Sequence, residues 1–160
     1  MLFTSSYARA LDEKNRLQIP TQFKSGVADL EREREYFYLC PGEYPRTLAL
    51  YQEKYFEQRM EQMQQQVLSD EESLELESFL ARVVKIELDK QRRFVLPDAQ
   101  LAHAAFPSKE LVLAGANVRI NIWSKPDFEA FMAEKRDQNW PQIQRYLRGA
   151  APRSNGAAAQ

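Results

Sequence analysis

Two stretches of this chain place an aspartate four residues ahead of an arginine, among further cations, and these are the residues best placed to do chemistry. The first reads Leu11-Asp12-Glu13-Lys14-Asn15-Arg16-Leu17-Gln18-Ile19-Pro20. The second reads Leu88-Asp89-Lys90-Gln91-Arg92-Arg93-Phe94-Val95-Leu96-Pro97. An Asp at the head of a turn can accept a hydrogen bond from the backbone two residues on, closing an Asx-turn. The following Arg can pair with that Asp, or point outward to phosphates or to guanine, which it reads bidentately at O6 and N7. Asp12 and Asp89 are read as loop-shaping clamps. Lys14, Asn15, Arg16, Lys90, Arg92 and Arg93, with Arg9 just upstream, are read as contacts to double-stranded DNA. A cationic turn tip suits a polyanion and is not shaped to enclose a small-molecule substrate.

Other chemistries lack their residues. His103 is the only histidine and Cys40 the only cysteine, too few for a zinc site built from His and Cys. The five glycines are scattered, so no phosphate-cradling loop exists. His103 reads as a surface or packing residue and Cys40 as a buried thiol, which fits a reducing cytosol. No nucleophile–base motif is present. We therefore expect no enzyme, no catalytic residue, no metal and no cofactor. Met1–Tyr7 lacks the charged and apolar regions of a secretory signal, and no apolar run reaches spanning length, so no membrane association is expected.

Charge is uneven along the chain. The formal net charge is −1, yet Arg9, Lys14, Arg16 and Lys24 gather around the first motif, and Arg82, Lys85, Lys90, Arg92 and Arg93 around the second. The stretch between is acidic, with Asp70, Glu71, Glu72, Glu75 and Glu77 in close succession. An acidic far side does not cancel a basic face beyond a Debye length, roughly 8 Å in physiological salt. The same clusters are open to a second reading as charge that serves solubility.

The elements that must position these turns repeat with them. Segments 8–11, 16–19, 84–88 and 93–96 carry strand chemistry on either side of the turns. Tyr36–Leu39 and Leu48–Tyr51 follow the first motif; Leu111–Leu113 and Arg119–Trp123 follow the second. Tyr51 matches Trp123, Phe56 matches Phe128 and Met60 matches Met132, and the four aromatics among them read as core. Short helices are expected at about Thr21–Lys24 and Asp98–Ala105, after Pro20 and Pro97. A helix is expected over Glu53–Leu68, and a second after the capping box Ser69-Asp70-Glu71-Glu72. A last helix starts near Lys125 and is broken at Pro141, and the segment from Gly149 on is expected to be disordered. A repeated supersecondary unit constrains the whole fold. With 160 residues in all, each half is small for a core of its own and should bury its apolar face against the other.

At the doubled Asp-x-x-x-Arg turns, each leading into a strand that ends in Pro, and at the aromatic strand-to-helix segments after them, the chain resembles the bacterial MraZ family. The reading frame of that family typically opens the division and cell wall gene cluster. The resemblance covers roughly residues 7–132 and is specific because the motif is doubled. It implies an α+β fold of two tandem, pseudo-symmetric swapped-hairpin units of the SpoVT-AbrB kind, forming a small β-barrel-like core with flanking helices. The first unit would span 7–54, a helical bridge 55–82, the second unit 83–126, a C-terminal helical segment 127–148 and a disordered tail 149–160. It further implies a cytoplasmic, nucleoid-associated transcriptional regulator that assembles into homo-oligomeric rings and binds promoter direct repeats, usually to repress its own operon. The family usually has Gly before each motif Arg, where this chain has Asn15 and Arg92. Asn tolerates φ > 0, which preserves the first turn. Arg is strained there, so the second turn is expected to change shape or to gain a phosphate contact. An alternative is an AbrB-like scaffold or antitoxin-type module that works through its acidic central helices.

Overall fold

The computed structural model describes residues 2–24, 34–66, 68–136 and 140–149. The chain divides into two compact units, Met1–Phe128 and Glu129–Gln160. In the first, β1 (Ser6–Ala10) and β2 (Arg16–Gln18) flank the first turn, followed by β3 (Tyr36–Pro41), β4 (Leu48–Gln52), α1 (Glu53–Gln64) and α2 (Asp70–Leu80). Next, β5 (Val84–Glu87) and β6 (Arg93–Val95) flank the second turn, and α3 (Asp98–Ala104), β7 (Glu110–Ala116) and β8 (Arg119–Ser124) follow. Helix α4 (Lys125–Arg136) carries the chain into the second unit, which also holds α5 (Pro141–Leu147).

The strands flanking each turn do not pair with each other. Instead β1 pairs with β7, β5 with β3, and β2 with β6, all antiparallel. The main sheet has the order β1-β7-β8-β4-β3-β5, while β2 and β6 form a separate two-stranded ribbon. Exchanging the elements of the two halves leaves that order unchanged. Among the described residues β2 and β6 pair only with each other, and β1 and β5 each keep one open edge. No closed barrel forms among the described residues, which corrects the barrel-like core expected from the sequence.

Side chains alternate across a strand, and the sheet uses both faces. Phe37, Leu39, Leu48, Leu50, Ile120 and Ile122 point to one side, where the ribbon residues Leu17 and Phe94 join them in one buried cluster. Cys40, Ala49 and Tyr38 point to the other, against Phe56 and Met60 of α1 and Phe79 of α2. The ribbon thus packs by one face on the core and leaves its other face outward. The matched aromatics pack as expected: Tyr51 lies 5.6 Å from Phe56 and Trp123 6.2 Å from Phe128, between ring centroids.

Local signals account for the start of α2 and both ends of α3. Ser69 accepts from the Glu72 amide, and Glu72 reaches back to the Ser69 amide, so both halves of the capping box are present. Pro97 stands one residue before α3 and Ala105 closes it in the left-handed conformation. After Pro20 the expected helix is replaced by one turn, closed by the Phe23 amide on the Pro20 carbonyl at 2.9 Å. The segment 25–33 lies outside the described residues, as does the expected tail, 149–160, except for Gly149.

Candidate nucleic-acid interface

Both turns fold by the same set of hydrogen bonds. Asp12 Oδ1 accepts from the amides of Lys14 and Arg16, each at 2.9 Å, and Asp89 Oδ1 accepts from those of Gln91 and Arg93 at 2.9 and 2.8 Å. The Asp carbonyl then accepts from the residue before the Arg, Asn15 at 3.0 Å and Arg92 at 2.9 Å. That residue is left-handed in both turns, with φ of 57° at Asn15 and 60° at Arg92. The second turn therefore keeps the shape of the first despite its bulky residue.

Each Asp also fixes its Arg. Arg16 Nε donates to Asp12 Oδ2 at 2.5 Å and Arg93 Nε to Asp89 Oδ2 at 3.1 Å. No hydrogen bond occupies the Nη groups of either Arg among the described residues. The clamp holds the stem of the guanidinium and leaves its fork for an outside acceptor. The amide of Arg16 holds the Asp12 carboxyl below the usual carboxylate range, outweighing burial, with help from the Arg16 side chain. At Asp89 burial pushes upward, but the hydrogen bonds from Arg93 and Gln91 prevail and the carboxyl again lies low.

Arg92 is directed elsewhere. Its side chain is 19% exposed and its guanidinium forms an ion pair with Glu35. It also donates to the carbonyls of Phe23 at 2.6 Å and Ile19 at 3.3 Å. The side chain read as a DNA contact is engaged inside the fold, which also explains why a long residue is held at positive φ. Arg9 lies in β1, outside the turn, 5.9 Å above the Tyr7 ring and donating to the Ala8 carbonyl at 2.8 Å.

The ribbon brings the two turns together. The Leu96 amide donates to the Asn15 carbonyl at 2.9 Å and the Ile19 amide to the Arg92 carbonyl at 2.8 Å. The ladder so extended places the turns at its two ends, about 13 Å apart at a strand rise near 3.3 Å per residue. Arg16 lies opposite Val95, and Gln18 opposite Arg93. These four side chains form the outward face, with exposed Lys14 and Lys90 at the tips.

A sequence model described as "MraZ protein, putative antitoxin-like" matches residues 79–148. The chain is 29% identical over 139 residues to a "Transcriptional regulator MraZ" of Mycoplasmopsis pulmonis, covering 86% of this chain and 89% of the relative. It is 30% identical over 125 residues to one of Mycoplasma mobile, covering 78% and 80%. The chain belongs to the MraZ family. A further relative with the same description, from Paenarthrobacter aurescens, is 29% identical over 138 residues, covering 84% of this chain and 89% of its own length.

Three residues of this MraZ-family chain join the site without having been singled out. Gln18 and Val95 alternate with the buried Leu17 and Phe94, a period-2 signal that could have found them. Val95 is 57% exposed, unusual for a strand valine beside a core. Lys109 reaches the Asp12 carbonyl at 3.4 Å from the strand end before β7, and nothing local in the sequence announces it. His103 is exposed on α3, and among the described residues no group of three His, Cys, Asp or Glu could hold a metal ion.

Proposed function

We propose that this protein is a transcriptional regulator that grips promoter DNA with the outward face of the β2–β6 ribbon and its two turns. The observation that carries the reading is the pair of clamped arginines, Arg16 and Arg93, on one exposed antiparallel ribbon with a lysine at each tip. The major groove, about 12 Å wide, admits a two-stranded ribbon. Arg forks held at the stem lose little freedom on docking, which favours binding. Lys14 and Lys90 add phosphate contacts, and Arg16 and Arg93 take phosphates or guanine edges. The palindromic strand order supports two swapped-hairpin repeats, 7–54 and 83–126, joined by a helical bridge at 55–82 and followed by a C-terminal segment at 127–148.

One ribbon offers few phosphate contacts and binds weakly at physiological salt. A ring of copies, each later contact being effectively intramolecular, binds direct repeats far more tightly. Such a ring, cytoplasmic and nucleoid-associated, would repress the division and cell wall cluster from repeats upstream of it. Titration of the duplex upstream of the gene at several salt concentrations tests this. A steep fall of affinity with salt, sequence preference, and loss of binding in Arg16→Ala with the oligomer intact are expected. Unchanged binding by Arg16→Ala removes the site.

A second reading is a protein-interaction scaffold of the antitoxin kind. It is favoured by α2, which carries five acidic residues and no buried side chain. Flat or absent DNA binding would select it.

A further inference from the structure

The ring just proposed needs a contact between copies. We propose that α5 of one copy seats in the groove beside α2 of the next. The inference rests on the oligomer reading and names the surfaces that would build it.

Helix α2 is poorly covered for an element so rich in leucine. Leu74 is 67% exposed and Leu80 38%. Beside it lies an open groove of about 510 Å³, whose lining includes Pro41, Glu71, Leu74, Glu75, Phe79 and Arg82. Glu71, Leu74, Glu75 and Ser78 stand at i, i+3, i+4 and i+7, so they form one helix face. Arg82 is turned back onto Ser78, donating to its carbonyl at 2.8 Å and its hydroxyl at 2.5 Å. The groove combines the apolar Pro41, Leu74 and Phe79 with the carboxylates Glu71 and Glu75, while the one arginine in its lining is engaged by Ser78.

The second unit carries the complement. Trp140, Ile143, Tyr146 and Leu147 fall on one stripe of α5 and its N-cap at helical spacing, and all are at least half exposed, Leu147 most of all at 81%. Arg145 and Arg148 supply cations, and residues 140–149 contain no acid. A helix of this length is marginal in water without a partner for its apolar face. An apolar ridge with cations thus faces an apolar groove with carboxylates.

The two surfaces are different, which decides the kind of assembly. A two-fold dimer uses one self-complementary patch, whereas a contact between unlike patches repeats head to tail and closes into a ring when the rotation allows. The α2–α5 contact is of that second kind, with one donor and one acceptor surface on every copy.

The test is cross-linking of the full chain. Cys40 is buried, and burial pushes its thiol up to about 12, so introduced cysteines are the reactive ones. Leu74→Cys mixed with Leu147→Cys should give a disulfide-linked pair on a non-reducing gel, and the double variant a ladder of linked chains. Absence of a link, or a link confined to one chain in the double variant, overturns the contact. In parallel, Ile143→Asp should reduce the native assembly to single chains on sizing with its far-UV circular dichroism retained. If Ile143→Asp remains assembled, the contact lies elsewhere while the ring stands. If the unaltered protein is a single chain at working concentration, the ring itself falls.

Discussion

Arg92 and Glu35, 57 residues apart in the chain, form an ion pair that ties the second turn to the strand end before β3. The equivalent places at the first turn are Asn15 and Lys109, since Leu11 donates to the Lys109 carbonyl as Leu88 does to that of Glu35, both at 2.9 Å. One turn thus holds a cation that is internally neutralised, and the other a neutral residue with a cation beside it. Two turns of the same shape differ in the charge they can offer.

That pair sets a stability prediction. Arg92→Ala removes the ion pair and the donors to Ile19 and Phe23, and leaves a β-carbon in the left-handed region. The expected loss is about 1–3 kcal/mol for the unpaired groups. Arg92→Gly loses the same contacts but relieves roughly 1 kcal/mol of backbone strain. Urea denaturation should rank wild type above Arg92→Gly above Arg92→Ala. Equal midpoints for the last two would mean that the left-handed position carries no cost.

The features legible in the sequence are those whose causes lie within a few residues. Asp12 and Asp89 form Asx-turns because each acceptor and its amide are two residues apart. Ser69 and Glu72 cap α2 for the same reason. What the sequence hid depends on distant partners. Strands β1 and β2 look like a hairpin, but each finds its partner in the other half, so local alternation could show strands without showing which edges stay open. Arg92 looked like an exposed cation because Glu35 and the Phe23 carbonyl are brought to it only by the fold. The capping box announces α2, yet it does not say whether a face of the helix is covered, and Leu74 is left in solvent.

Cys40 offers a check on the core behind the sheet. Burial raises its thiol from 9.0 to about 12, so the folded protein keeps the neutral form where the unfolded chain would ionise. The stability this contributes is full below pH 9 and is lost as pH rises toward the folded value. A disulfide reagent at pH 8 should label Cys40 only as fast as the protein unfolds, and the unfolding midpoint in urea should fall between pH 9 and 11. Rapid stoichiometric labelling of native protein would contradict the burial.

The outward ribbon face makes a prediction about base preference. Val95 has an exposed apolar tip suited to a thymine methyl, and Gln18 has the amide that pairs with adenine N6 and N7. A bidentate pair of the Gln kind discriminates by about 1–3 kcal/mol. Selection from randomised duplexes with Val95→Ser and with Gln18→Ala should shift the preferred base at distinct positions and leave the salt dependence unchanged. Lys14→Ala should do the reverse, lowering the salt slope by about one without changing the preferred sequence. A preference unmoved by either ribbon substitution would leave phosphate contact as the only role of this face.

The clamp yields the sharpest test, because simple charge counting and the geometry disagree. Asp12 is an anion beside the surface proposed to bind phosphates, so removing it should strengthen binding if charge alone mattered. In the structure its two oxygens hold the amides of Lys14 and Arg16 and the Arg16 Nε. Asp12→Ala frees the turn and the guanidinium, and the ordering must then be supplied at the moment of docking. Affinity for duplex DNA should therefore fall, by about tenfold. The same clamp fails in acid. Asp12 and Asp89 lie below their ordinary value of 3.8, so their contribution is present above that pH and is lost as pH drops through the lower folded values. The amide signals of Lys14, Arg16, Gln91 and Arg93 should titrate together with midpoints under 3.8. Tighter binding by Asp12→Ala, or midpoints at the ordinary value, would show the aspartates to be bystanders to the arginines they touch.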